Sequence, residues 1–178
     1  MKDNTKNARI NVRTITFTAV MAALVFVFTY TFKIPFVNGY THIGDSMIFL
    51  AIVFLGWKKA PLAAGIGAAL ADLIGGYSAW VAPTFIIKFF MALICAFIME
   101  KVIKNNKVVG YIVGAILGGA WQIVAYTAVK IFLFDKAYAF SSLPTLAIQT
   151  VVGVVVAAVF IVVFDKTKVT AKLKKMVG

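Results

Sequence analysis

Residues 143–164 read LPTLAIQTVVGVVVAAVFIVVF, and this stretch decides the fold class because it carries no charged side chain. A helix of about 20 apolar residues crosses the hydrocarbon core of a bilayer, which is about 30 Å thick. A barrel strand would instead alternate polar and apolar residues over about ten positions, and no such alternation is present. The stretch therefore predicts a membrane-spanning helix.

Similar apolar stretches recur along the 178 residues, of which 62% are hydrophobic and 13% charged. The mean hydropathy is +0.97, and a soluble domain would carry about 25% charged residues. We therefore expect one all-α, polytopic membrane domain over residues 1–178, a bundle of about six transmembrane helices. The predicted spans are 14–32, 43–57, 60–77, 83–103, 108–134 and 143–164. The second and third are short, so tilted or re-entrant helices stay open for them.

Basic residues predict the orientation of the spans. Fourteen of the 18 Lys and Arg residues lie in the tails 1–13 and 166–178, between spans two and three, and at or just after the end of span four. Only Lys33 and Lys136 lie in the opposite connections. Because cytoplasmic segments carry the excess of Lys and Arg, we expect both tails on the cytoplasmic side of a bacterial cell membrane. The net charge of +12 is explained by these flanking positions and does not indicate nucleic-acid binding.

Ionisable residues inside a span are costly, so each of them predicts a partner or a function. Asp45, Asp72 and Lys88 lie at similar depth near the predicted outer ends of spans two, three and four. Two interpretations stay open for them. They form a structural ion pair that holds the three spans together, or Lys88 contacts a ligand.

Span five carries Gln122, Tyr126 and Lys130 at intervals of four residues, which places them on one helical face that runs to the outer surface. Trp121 flanks that face, and Gln149 of span six completes a polar patch. The pattern predicts a ligand-binding wall. The alternative is that Lys130 snorkels, Tyr126 belongs to the interfacial belt and Gln122 bonds a neighbouring helix.

Catalytic and metal sites are not favoured. His42, Asp45 and Ser46 lie close together in sequence, but one helical turn cannot align a nucleophile, a base and an orienting group. A single histidine and a single cysteine, Cys95, exclude paired metal-ligand motifs and a disulfide within the chain. We expect no catalytic residue, no metal and no cofactor.

Three blocks carry a family resemblance: residues 40–45 read YTHIGD, residues 64–77 read AGIGAALADLIGGY and residues 83–88 read PTFIIK. Together with the length and the span count, they resemble the substrate-binding S components of energy-coupling factor (ECF) vitamin transporters, in the riboflavin, pyridoxine and hydroxymethylpyrimidine branch. The resemblance implies high-affinity capture of a vitamin or a precursor at the outer side. We favour a pyridoxine-like or hydroxymethylpyrimidine-like heterocycle, with riboflavin and a queuosine precursor as alternatives.

The same resemblance implies partners. The contact motif of the family in helix one, alanine-x-x-x-alanine, matches Ala19 and Ala23, which implies docking of a transmembrane coupling subunit that carries two ATPases. The chain has no Walker A sequence, so ATP hydrolysis is expected in those partners. A membrane scaffold or assembly protein without a small ligand is the alternative, and it leaves the polar face of span five unexplained.

The candidate substrate-binding residues combine the outer loops, the aromatic side chains near the outer side and the polar face of span five. Aromatic rings suit a flat heterocycle, and the polar groups suit its hydroxyls or ring nitrogens. The candidates are Asn38, Tyr40, His42, Tyr77, Trp80, Lys88, Trp121, Gln122, Tyr126, Lys130 and Gln149.

Overall fold

The computed structural model describes residues 12–36 and 39–167, and helices dominate this part of the chain. The helices are α1 Val12–Thr31, α2 Gly44–Ile74, α3 Ser78–Phe97, α4 Lys107–Leu133, α5 Lys136–Ser141 and α6 Leu143–Lys166. A π-helical turn, Ile98–Val102, extends α3. The strands β1 Lys33–Phe36 and β2 Gly39–His42 form an antiparallel hairpin between α1 and α2.

Five stretches of the described chain are long and apolar enough to cross a membrane. They are Val12–Thr31, Gly44–Ile74, Ser78–Val102, Val108–Leu133 and Lys136–Phe164. The large side chains on their outer faces are apolar and exposed, as at Ile116, Val124 and Val155, which is how a helix meets lipid. The prediction of an all-α, polytopic membrane protein is confirmed.

Helix α2 covers most of both of the short spans that the sequence predicts, 43–57 and 60–77. Its backbone is non-helical at Gly56, where φ is +69° and ψ is −175°, a conformation that glycine adopts without steric cost. A straight helix of 31 residues would hold its ends about 45 Å apart. Instead, Asp45 near its start pairs with Lys88, and Asp72 near its end is close enough to Lys88 to feel its charge. The segments 44–55 and 57–74 therefore run antiparallel, and the reversal lies at Gly56.

The bundle has two ends, which we name the hairpin end, after β1 and β2, and the Gly56 end. At the Gly56 end, Lys59 Nζ donates a hydrogen bond of 3.4 Å to Thr14 Oγ1 near the start of α1. There, too, the ring of Phe54 lies 6.0 Å from that of Phe164 near the end of α6. The start of α1 and the end of α6 therefore lie at the same end of the bundle.

The core lies where α2 packs between its neighbours. Helix α2 contacts α1, α3 and α6, and α4 packs against α3. The buried core includes Ile48 and Phe49 of α2 and Met91 of α3, each fully enclosed. This dense centre surrounds the first segment of α2 and holds its polar first turn away from lipid.

Candidate functional site

Asp45, in the first turn of α2, is the centre of a buried hydrogen-bonded cluster. Its Oδ1 accepts from the ammonium of Lys88 on α3. Its Oδ2 accepts from the side-chain amide of Gln122 on α4 at 2.9 Å and from that of Gln149 on α6 at 3.1 Å. A buried charge is tolerated when it is paired and hydrogen-bonded, and this carboxylate has three donors.

Two further contacts close the cluster. The Oε1 of Gln122 accepts from Lys88, and its Nε2 also donates to Thr150 Oγ1 on α6 at 2.9 Å. We name Asp45, Lys88, Gln122, Gln149 and Thr150 the Asp45 cluster. All five residues are buried, and together they join α2, α3, α4 and α6.

Local sequence explains why four helices meet at this carboxylate. Asp45 lies at a helix N-terminus, where a negative charge is favoured by the unpaired backbone N–H groups. Gly153 of α6 packs directly against it, because a Cβ added at Gly153 would lie only 2.6 Å from the Asp45 Cβ. The glycine thus lets α6 approach closely enough for Gln149, one turn earlier, to reach the carboxylate.

A cavity of about 310 Å³ lies at the hairpin end, beside the Asp45 cluster. Small-molecule sites typically measure about 300–1,000 Å³ and combine aromatic walls with a few polar groups. This cavity has both features, at the small end of the range. Its lining residues are His42, Asp72, Tyr77, Trp80, Thr84, Tyr126, Lys130, Tyr138, Thr145, Leu146 and Gln149.

Tyr126 connects the cavity to the Asp45 cluster. Its hydroxyl donates to Thr84 Oγ1 at 3.2 Å, and its ring centroid lies 5.9 Å from that of Trp80. The ammonium of Lys88 lies 5.5 Å from the Tyr126 ring centroid, a favourable cation–π arrangement. Lys88 therefore supports a residue of the cavity wall without lining the cavity itself.

The β-hairpin covers one side of the cavity. Thr41 of β2 donates to the Oε1 of Gln149 at 3.5 Å. The ammonium of Lys33, at the base of β1, lies 5.2 Å from the Tyr30 ring centroid and 5.1 Å from that of Tyr77. These contacts hold the hairpin against α1, α6 and the turn that follows α2.

His42 lines the cavity and lies in β2, outside the membrane-spanning helices. Its surroundings shift the pKa of its imidazole. Burial lowers the pKa of its imidazole to about 4, although the nearby Asp45 charge acts in the opposite direction. The cavity thus holds a neutral histidine at neutral pH, able to donate through one nitrogen and accept through the other.

The cavity brings together six of the candidate binding residues: His42, Tyr77, Trp80, Tyr126, Lys130 and Gln149. Lys88 and Gln122 belong to the Asp45 cluster, where their polar atoms bond to neighbouring side chains. Trp121 donates from Nε1 to the carbonyl oxygen of Ile87 at 3.1 Å, so it ties α4 to α3. Tyr40 lies in β2, and Asn38 lies outside the described residues.

Several lining residues were missed by the sequence reasoning. Thr145 lies one turn before Gln149, and Thr84 lies one turn before Lys88. The i, i+4 rule, which selected the face of span five, would have found both of them. Tyr138 lies in the short α5, and sequence offers only its aromatic character in a predicted outer connection. Asp72 was assigned to an ion pair and lines the cavity, near Thr84.

These features define a multi-pass helical membrane protein with a small-molecule cavity at one end of its bundle. A family model described as "ECF-type riboflavin transporter, S component" matches residues 9–166, and the chain therefore belongs to this family. The resemblance found in the three sequence blocks is confirmed. Such a subunit is not an enzyme; it binds a vitamin-type substrate and works with a membrane-embedded ECF module.

A second comparison gives a relative of unassigned function. A protein of Pyrococcus woesei, described as "Uncharacterized protein in gap 3'region", is 30% identical over 123 residues. The match covers 69% of this chain and 80% of that protein. It extends the similarity to a second chain and adds nothing about the ligand.

Proposed function

We propose that this S component captures a one-ring heterocyclic vitamin or precursor, pyridoxine-like or hydroxymethylpyrimidine-like, in the cavity at the hairpin end. The observation that carries the proposal is the composition of that cavity. Four aromatic side chains, Tyr77, Trp80, Tyr126 and Tyr138, line it together with neutral and charged polar groups. A flat ring stacks on such side chains while its substituents bond to the polar groups.

The size of the cavity supports a compact ligand. Its volume of about 310 Å³ lies at the small end of the range of about 300–1,000 Å³ for small-molecule sites. Asp72 offers an acceptor and Lys130 a donor, which suits a ring with a nitrogen and hydroxymethyl groups. Riboflavin, a three-ring compound with a polyol chain, is the second candidate, because the description of the family names it.

The proposed orientation has the hairpin end on the outer side of a bacterial cell membrane and the Gly56 end on its cytoplasmic side. Basic residues support it through the positive-inside rule. Lys58 and Lys59 follow Gly56, and Lys101 and Lys104 lie between α3 and α4 at the same end. The hairpin end carries far fewer Lys and Arg residues in its connections. A ligand would then enter from the outside.

A separate surface supports docking of the ECF coupling subunit. Ala19 and Ala23 of α1 are exposed and line an apolar groove of about 630 Å³ together with Leu62, Ile66 and Leu70 of α2. Small side chains let a partner helix approach closely. We propose that the coupling subunit packs along this groove and that two partner ATPases supply the energy.

A binding titration tests the proposed ligand class. Purified protein in detergent is titrated with pyridoxine, hydroxymethylpyrimidine and riboflavin, with tryptophan fluorescence and thermal unfolding as readouts. A specific ligand at 100 times its Kd should stabilise the fold by roughly 2.7 kcal/mol. The fluorescence change should shrink in Trp80→Phe, because Trp80 lines the cavity. Binding of riboflavin alone would favour the second candidate, and no binding of any of the three would overturn the proposed ligand class.

A further inference from the structure

Gln149 lies at the boundary between the cavity and the Asp45 cluster, and its two amide atoms have different surroundings. Its Nε2 donates to Asp45 Oδ2 at 3.1 Å. Its Oε1 accepts from the hydroxyl of Thr41 at 3.5 Å. The side chain is 5% exposed and forms part of the cavity wall. The Nε2 end of the amide thus bonds to Asp45, and the Oε1 end bonds to Thr41 of the hairpin.

The Asp45 cluster determines which amide atom takes each position. An ionised carboxylate has only acceptors, and the ion pair with Lys88 keeps Asp45 in that form. Turning the Gln149 amide around would place Oε1 against a carboxylate oxygen, and two acceptors repel each other. Gln122 is oriented by the same logic, because its Oε1 bonds to Lys88 and its Nε2 to Asp45. Both glutamines thus donate one N–H group to Asp45, and the second N–H group of Gln122 goes to Thr150.

The oxygen of Gln149 consequently bonds to Thr41, and the residue forms part of the cavity wall. A carbonyl oxygen has two lone pairs, and the Thr41 hydroxyl uses one of them. A buried acceptor that a ligand covers without supplying a donor loses hydrogen bonding to water. A ligand that brings a hydroxyl or an N–H group to this oxygen avoids that loss.

We infer that Gln149 is a specificity-determining residue that selects ligands with a hydrogen-bond donor, a hydroxyl or an N–H, and that Asp45 and Lys88 are the positioning residues that orient its amide. The inference rests on the proposed function, in which this cavity binds a small heterocycle. Lys130 offers only donors at another part of the wall. The favoured ligand class is therefore a ring that combines an acceptor with a hydroxymethyl or amino substituent.

The test compares matched analogues of pyridoxine and of hydroxymethylpyrimidine. Each donor group is replaced one at a time by its methylated form, which keeps the acceptor, and by hydrogen, which removes the group without added bulk. In the wild-type protein, both replacements at the donor that meets Gln149 should weaken binding roughly ten- to one-hundred-fold. In Gln149→Met, which is similar in size, the parent compound and its analogues should bind with nearly equal affinity.

Two further variants distinguish a loss of ligand selectivity from a general loss of affinity. Lys130→Met should weaken the parent compound and its analogues alike, so their affinity ratio stays as in the wild type. Asp45→Asn should reduce the ratio, because an amide at position 45 can also donate and thus permits either orientation of Gln149. If Asp45→Asn does not fold, Thr41→Val serves in its place, and it should keep the wild-type ratio because Asp45 still orients the amide.

The outcomes distinguish the inference from the proposed function. Equal affinities for the parent compound and all its analogues in the wild type would overturn the inference and leave the proposed function standing. An unchanged ratio in Gln149→Met would overturn it as well. Absence of binding of both parent compounds to the wild type would overturn the proposed ligand class and the inference with it.

Discussion

Lys88 and Asp45 form an ion pair whose side chains are 1% and 0% exposed. The pair joins α3 to the first turn of α2, and the hydrogen bonds of Gln122 and Gln149 to the same carboxylate add α4 and α6. Four helices thus depend on one buried charge. Because the cluster lies beside the cavity, it supports both the fold and the cavity wall.

Removal of the cation is expected to destabilise the fold strongly. Lys88→Met leaves the Asp45 carboxylate buried without its partner, and breaking such a pair costs about 3–5 kcal/mol. The matched control is Asp72→Asn, because Asp72 is only partly buried and should cost about 1 kcal/mol. Thermal unfolding in detergent and the folded yield measure both variants. Equal losses in the two variants would contradict a structural role that is specific to the Asp45–Lys88 pair.

The orientation is tested by labelling single cysteines in intact cells. Asn38→Cys should react with an impermeant thiol reagent added outside, and Lys104→Cys should react only after the membrane is permeabilised. The native Cys95 is fully buried and serves as the unreactive background. Labelling with the two sides exchanged would place the cavity in the cytoplasm and overturn the proposed route of capture.

The groove between α1 and α2 is expected to matter for transport and not for ligand binding. Ala19→Leu with Ala23→Leu fills the groove that a partner helix would occupy, so uptake should be lost while the Kd of the ligand stays the same. Val20→Leu is the control on the same helix, because Val20 is exposed and does not line the groove. Equal loss of binding and uptake would show that α1 supports the cavity instead.

Sequence reasoning found the helices because lipid imposes long apolar stretches, and it found the helical face of Gln122 and Lys130 because periodicity reports direction. Periodicity does not report depth. The two residues are eight positions apart, which is about 12 Å along the helix axis. Gln122 lies at the level of Asp45 and is fully buried, and Lys130 lies at the level of the cavity.

The pairing of Asp45 with Lys88 could not be derived from either segment alone. Asp45 and Asp72 both lie near Lys88 because the chain reverses at Gly56. The choice of Asp45 depends on the close approach of α6 at Gly153, which is a contact between residues far apart in sequence. Local patterns therefore predicted the three ionisable residues as a group, and tertiary packing determined which two of them pair.

The polar wall of the cavity is expected to contribute directly to affinity. Lys130→Met should weaken binding of the ligand by about 1–3 kcal/mol, because a donor inside the cavity is lost. Tyr126→Phe should weaken ligand binding by about 1 kcal/mol, because the hydrogen bond to Thr84 that holds this part of the cavity wall is lost. Lys136→Met is the control, since Lys136 is exposed and lies outside the lining. Unchanged affinity in both wall variants, measured by titration calorimetry, would move the binding site elsewhere.

His42 is the single histidine of the chain, and it is expected to make the stability of the fold depend on pH. Burial lowers the pKa of His42 from 6.5 to about 4. The unfolded chain therefore takes up a proton at a higher pH than the folded protein does, and proton uptake by the unfolded state reduces stability. The stability that the neutral imidazole contributes is complete above pH 6.5 and is lost as the pH falls towards 4. The full loss is roughly 3 kcal/mol at about 1.4 kcal/mol per pKa unit.

Thermal unfolding of the ligand-free protein between about pH 7 and pH 5 measures this loss, because histidine is the side chain that ordinarily titrates in that window. The wild-type Tm should fall steadily as the pH is lowered from 6.5, whereas His42→Gln should show a flatter curve. Glutamine keeps a donor and an acceptor but does not titrate, so the comparison reports the effect of protonating His42 on the Tm. Parallel curves for the two proteins would mean that His42 is accessible to protons in the folded state, which would contradict its burial at the base of the β-hairpin.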